Sequence, residues 1–220
     1  MQDSLYVALS SQVALERRLN TIADNVANST TGGFRAPGVK FEDVVSGTGP
    51  RAVSFASSGS TYLSPVSGSM LETGNPLDFA IQGDAWFAMA TPAGTVMTRD
   101  GRFTLANSGA LVTVEGHPVL DAGGAPIQLD PNDGPPKAGA DGSLTQDGRL
   151  VGAIGLFAFD PGIDFQRYGN SGVLNRNRLE PQVDTQDVGV SQGFVEQSNV
   201  NPMLEMMHLI QVQRTFENMS

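Results

Sequence analysis

The stretch Leu15-Glu16-Arg17-Arg18-Leu19-Asn20-Thr21-Ile22-Ala23-Asp24-Asn25-Val26 places apolar side chains at 15, 19, 22 and 26. These alternating steps of four and three keep one face of an α-helix apolar. Met1, Leu5 and Ala8 extend the row toward the N-terminus, and only Gln12 interrupts it. The pattern is a heptad seam and predicts helix over residues 1–30. The first proline is Pro37, and Gly32-Gly33 supplies residues that tolerate positive φ, so the helix is expected to stop near Asn28 to Thr31.

The other end of the chain repeats the design. Ser198-Asn199-Val200-Asn201-Pro202 combines cap-forming side chains with a proline suited to a first helical turn. Met203, Met207 and Ile210, beside Met206, Leu209, Val212 and Phe216, then form a broad apolar stripe. A second helix is expected from about 198 onward, and with no stop signal before Ser220 it is expected to continue beyond that residue.

The middle has another rhythm. Gly74-Asn75-Pro76, Asp100-Gly101, Asn107-Ser108-Gly109, Gly123-Gly124, Asp141-Gly142 and Asp147-Gly148 are turn formers between short apolar runs. Strands are expected at Leu77–Ile81, Ala85–Ala90, Arg102–Leu105, Ala110–Val114 and Val151–Phe159, with a loop at Asp130–Gly139. Asp-Gly turns between such runs favour antiparallel hairpins over a wound α/β sheet. Residues 43–73, rich in Gly, Ser and Thr, read as an extended connector with room for one or two strands. The fold class is therefore α+β, two terminal helices and a mainly antiparallel β domain. Expected boundaries are 1–30, 31–74, 75–195 and 196–220.

The first thirty residues carry only five charged side chains, Asp3, Glu16, Arg17, Arg18 and Asp24. Ser, Gln, Asn and Thr dominate the face opposite the seam, whereas solvated helix faces usually carry more Lys and Glu. Most helical stability in proteins comes from packing an apolar face, so this segment needs neighbours. Pairing the two terminal helices still leaves outward faces uncovered, which points to burial among several copies. An intramolecular hairpin that caps the β domain is the competing arrangement.

Composition narrows the function. A net charge of −10 over 220 residues repels phosphate backbones, so no nucleic-acid partner is expected. With no cysteine there is neither a disulfide nor a thiolate site. No apolar run approaches the roughly 18–20 residues of a membrane span, so no membrane insertion is expected. The first basic residue is Arg17 and the opening helix is amphipathic, unlike a secretory signal. His117 and His208 sit in different zones without partner motifs. Asp84 and Asp100 adjoin turn glycines, where Asp is common, which weakens an acid–base set with Asp78. The run Asp130-Pro131-Asn132-Asp133-Gly134 followed by Asp141 has Pro135 where a calcium loop needs glycine. No catalytic, cofactor or metal site is expected.

Three passages together resemble the bacterial flagellar rod and hook protein family. They are Ile22 to Phe34, with its Asn-rich helix end and Thr31-Gly32-Gly33-Phe34; Pro76 to Phe87 with Thr98-Arg99-Asp100-Gly101-Arg102-Phe103; and Gln192 to Asn201 leading into Met207 to Phe216. The short connector after Phe41-Glu42-Asp43 and the modest central domain look more like the proximal rod branch than the distal rod branch or the larger hook protein. The resemblance implies a non-enzymatic subunit of the basal-body rod that spans the periplasm and is exported by the flagellar type III apparatus without a Sec signal. It implies partners among other copies of itself, neighbouring rod proteins and the export apparatus. The paired helices would line the inner tube, surround the export channel and pass torque. Leu5, Ala8, Leu15, Leu19, Ile22, Val26, Met203, Met207, Ile210 and Phe216 are then the assembly residues. Asn25, Asn28, Gly32, Phe34, Ser198, Asn199 and Val200 carry the family motifs, with Phe34 anchoring the connector and the two N-terminal amides bonding across helix ends. A distal rod subunit, a non-flagellar coiled-coil scaffold or adhesin, and an enzyme built on the β domain are the other readings.

Overall fold

A computed structural model describes residues 2–40, 43–46, 53–56, 59–182 and 187–219. Helix α1 runs Gln2–Ala27 and helix α2 runs Pro202–Met219. The stop after Ala27 is made locally: the Asn28 amide donates to the Asp24 carbonyl at 3.1 Å, and Gly33 takes φ +64°. At the far end Asn201 caps α2, its side-chain oxygen accepting from the Leu204 amide at 3.2 Å, with Pro202 as the first helical residue.

The first strands are β1 (Pro37–Lys40), β2 (Asp43–Ser46), β3 (Val53–Ala56), β4 (Ser60–Leu63) and β5 (Met70–Glu72). So the connector holds more than the one or two strands expected: β1 pairs with β4, and the β2–β3 pair lies between them in sequence. The β domain follows with β6 (Phe79–Gln82), β7 (Phe87–Thr91), β8 (Gly94–Thr98), β9 (Phe103–Leu105), β10 (Leu111–Thr113), β11 (Lys137–Ala138), β12 (Ser143–Gln146) and β13 (Arg149–Ala153). It ends with β14 (Phe157–Ala158), β15 (Arg167–Tyr168), β16 (Gly172–Leu174), β17 (Glu180–Pro181), β18 (Gly189–Gln192) and β19 (Phe194–Glu196).

Every pairing among these strands is antiparallel. Tight turns connect neighbours. Asp147 and Gly148, both at positive φ, form the two-residue turn between β12 and β13. The long-range pairs matter more for function. β5 pairs with β19 and β6 with β18, so the beginning and end of the β region are zipped together. That closure brings the exit of α1 beside the entry to α2.

Strand β7 is buried on both faces. Phe87 joins a core with Phe79, Ile81, Phe103, Leu111, Leu144 and Ile154, while Ala88 and the preceding Trp86 join a second cluster with Met97, Leu120 and Phe157. Alternation of side chains along a strand sends successive residues into the two clusters. The run Val151–Phe159, expected as one strand, is instead broken between β13 and β14. There the Ile154 amide donates to Gly142 O and the Gly155 amide to Leu120 O, so the chain changes partners at residue 155. A Cβ on Gly155 would lie 2.5 Å from the Phe157 ring and 2.7 Å from the Asp121 carbonyl, which only glycine permits.

Candidate functional site

The charge-poor terminal helices meet each other, and both meet the β domain at one joint. Ile22 of α1 and Val212 of α2 are buried. Leu15, Leu19 and Val26 of the predicted seam are half-buried; Leu5 and Ala8 lie on α1 outside the described side chains. On α2 the half-buried Glu205, His208 and Leu209 share a face with Val212. Met203, Met207, Ile210 and Phe216 are exposed, at 76%, 67%, 49% and 43%. Leu9 and Val13 of α1 are exposed as well. The helix pair is thus sealed along one line and apolar on surfaces that the chain itself leaves uncovered.

The motif residues build the joint. The Asn28 side-chain amide donates to the Asp24 carbonyl at 2.9 Å, and its oxygen accepts from the Thr31 hydroxyl at 3.1 Å, so this amide caps its own helix. Asn25 is buried and reaches outward, its amide donating to the Pro37 carbonyl at 3.4 Å. Gly32 lies against Arg102, and a Cβ on Gly33 would fall 2.1 Å from the Asp100 backbone nitrogen. The helix exit therefore rests directly on the Asp100-Gly101 turn.

Phe34 is fully buried, with the Arg167 guanidinium 4.3 Å above its ring. That guanidinium also donates to the Arg35 carbonyl, and burial lowers its pKa to about 10, against an opposing pull from Asp24. Asn199 stitches three segments. Its amide donates to Phe34 O at 3.2 Å, its side-chain oxygen accepts from the Ala36 amide at 2.7 Å, and its side-chain nitrogen donates to Val66 O at 2.8 Å. Ser198 accepts from the Val200 amide at 3.3 Å, and Val200 is buried.

At the centre of the joint is a group that sequence reasoning missed. Glu196 is buried, and its Oε1 accepts from Arg35 Nε at 3.1 Å and from the Gly68 amide at 3.0 Å. Oε2 accepts from Arg99 Nε at 2.7 Å. The two guanidiniums use their other donors on neighbouring segments. Arg35 bonds Pro65 O at 2.8 Å and the Ser67 hydroxyl at 3.0 Å, and lies 5.8 Å over the Trp86 ring. Arg99 donates to the carbonyls of Gly83, Ala85 and Ile81. Burial depresses the Arg35 pKa, and Glu196 works against that shift. The available signal was that Arg99 and Glu196 stand inside two of the motif passages and Arg35 directly follows the third.

The side chains weighed for chemistry serve local structure. Asp78 accepts from Thr73 and Asn75, Asp100 pairs with Arg102 at 2.6 Å, and Asp141 holds Ser143. His117 sits 3.4 Å from the Tyr168 hydroxyl, and His208 is on α2. A cleft of about 160 Å³ includes Asp100, Arg102, Glu115 and Tyr168, but its Asp100–Arg102 pair is already satisfied internally. Among the described residues no three His, Asp or Glu side chains cluster to hold a metal ion.

Three family models match in the order of these elements: Flagella basal body rod protein over residues 5–35, Flagellar hook protein FlgE/F/G D1 domain over 80–151, and Flagellar basal body rod FlgEFG protein C-terminal over 191–220. The flagellar basal-body rod protein FlgF of Mesorhizobium japonicum is 72% identical over 99% of this chain and 90% of its own length. The chain belongs to the FlgF family of flagellar basal-body rod proteins. FlgF of Rhizobium meliloti is 54% identical over 100% of the chain and 91% of its own length. FlgG of Bacillus subtilis is 32% identical over 100% of the chain and 93% of its own length, which sets the chain on the FlgF side of the family. As an FlgF-family protein it is a structural subunit of the basal-body rod, not an enzyme, and it assembles with rod subunits. No helix among its described residues is long and apolar enough to cross a membrane.

Proposed function

We propose that this rod protein polymerises with other copies of itself and with neighbouring rod proteins through the outer faces of α1 and α2, transmits torque and surrounds the export channel. One observation carries the reading: α2 leaves Met203, Met207, Ile210 and Phe216 exposed, although its whole length lies in a chain with a net charge of −10. Exposed large apolar side chains gathered on one element mark an interaction surface. On α1 the half-buried Leu15, Leu19 and Val26 continue the assembly row that Leu5 and Ala8 extend in sequence, and the buried Ile22 of the same row holds α1 against α2. Residues 1–30 and 196–220 form the axial layer, 75–195 the outer layer, and 31–74 the connector between them. Contacts between unlike surfaces of identical chains, where the rotation does not close a ring, build a helical shaft. The chain reaches the basal body through the flagellar type III apparatus.

The test is genetic and structural together. Deleting the gene should remove rods from isolated basal bodies. Leu19→Asp should do the same while the β domain keeps its native circular dichroism and melting temperature. Intact rods in the deletion strain would sink the rod reading, and wild-type assembly by Leu19→Asp would sink the role given to the helices.

A further inference from the structure

A buried carboxylate shared by two guanidiniums calls for an explanation, because an apolar cluster of equal volume is often as stable or more so. What the charged group adds is direction. Burial of apolar surface is non-directional and tolerates sliding, whereas the guanidinium donors lie in one plane and fix an angle. Glu196 accepts one guanidinium on each of its two oxygens, and the two partners come from different parts of the chain. Arg35 belongs to the segment leaving α1, and its remaining donors grip the strap at Pro65 and Ser67. Arg99 belongs to the β domain, and its remaining donors grip the segment from Ile81 to Ala85. Glu196 itself leads into α2. One carboxylate thus ties the exit of α1 to the entry of α2, and the joined pair to the β domain.

We infer that the Arg35–Glu196–Arg99 cluster is a rigid coupling, which sets the angle between the helix pair and the β domain so that torque taken up by the helices turns the β domain as one body. The inference rests on the proposed rod function for its purpose, but its mechanics can be measured without it. Rotation of the helices against the β domain must break the Arg99–Glu196 bond, and separation of the two helix roots must break the Arg35–Glu196 bond. Neither can be lost singly at low cost, since a buried charge would be left unpaired.

Amide exchange on the whole purified chain reads the coupling directly. The amides of Gly33, Ala36, Gly68 and Asn199 all bond across the joint, while those of Phe79, Phe103 and Leu111 report the β core. In Glu196→Gln the joint amides should exchange about tenfold faster or more, with the core amides unchanged. Arg35→Lys, which leaves the Arg99–Glu196 bond in place, should quicken the same joint amides by a smaller factor and serves if the first variant does not fold. Cells carrying Arg35→Lys should build rods in normal number and lose speed disproportionately as the viscosity of the medium rises. Unchanged joint amides in Arg35→Lys would overturn the coupling. Normal speed at every viscosity would overturn its role in torque, and absence of rods would show a role in assembly instead. Rods that persist when the gene is deleted would refute the rod function and leave the exchange result standing.

Discussion

The β domain and the helix pair solve the same problem to different degrees. In the β domain both faces of β7 are covered, Phe79, Phe87, Phe103 and Leu111 are buried, and the three phenylalanine rings meet in tilted or edge-to-face contact. In the helix pair Val212 and Ile22 are buried while Met203, Met206, Met207, Ile210 and Phe216 of the predicted α2 stripe face outward. The first is a finished core, closed within the chain. The second is a half-built core whose missing half has to come from another chain. A polymer needs both: a rigid body to carry, and a surface that is costly to leave in water.

The largest effects should come from the finished core. Phe87→Ala removes a ring that sits 5.2 Å from Phe103 and should lower the stability of the β domain by about 3–5 kcal/mol, read by denaturant unfolding. Gly33→Ala comes next. It puts a methyl group against the Asp100 backbone at positive φ, and should cost about 2–4 kcal/mol and free the helix root from the Asp100-Gly101 turn. Val212→Ala should cost about 1–2 kcal/mol, and it should do so locally. Helix signal should then be lost at lower temperature than the near-ultraviolet signal of Trp86, whereas a single shared transition would mean that the helices and β domain form one cooperative unit.

These magnitudes follow how legible each region is in the sequence. Turns such as Asp147-Gly148 and the cap at Asn201-Pro202 are local, so neighbouring residues suffice to read them. The seam and stripe are also visible because a helix repeats its environment every three to four residues. Gly155 defeats that reading: an apolar run can be one strand or two, and only the approach of Asp121 and Phe157 decides. In the connector the strands are short, and β1 finds its partner in β4 and β5 in β19, pairings that local alternation does not reveal. The Arg35–Glu196 bond spans 161 positions, and charged residues are ordinarily placed at the surface. Asn199 and Phe34 stand out as motif residues, yet nothing local says that they bond to one another through backbone.

The smallest effect on stability should be the most telling about function. Met207 is 67% exposed, so Met207→Ser removes almost no buried area within the chain, and its unfolding free energy should shift by less than about 0.5 kcal/mol. If α2 is completed by a neighbouring subunit, that same side chain becomes a buried methionine in the assembled rod, and its loss there should cost about 1.5–3 kcal/mol at every copy. Repeated along a shaft, a penalty of that size shifts the equilibrium from polymer to monomer. Cells expressing Met207→Ser should therefore hold normal amounts of folded chain and few complete rods. A variant that is both stable and fully incorporated would show that this face of α2 stays in water after assembly, and the contrast between finished and unfinished cores would fail at the residue where it is sharpest.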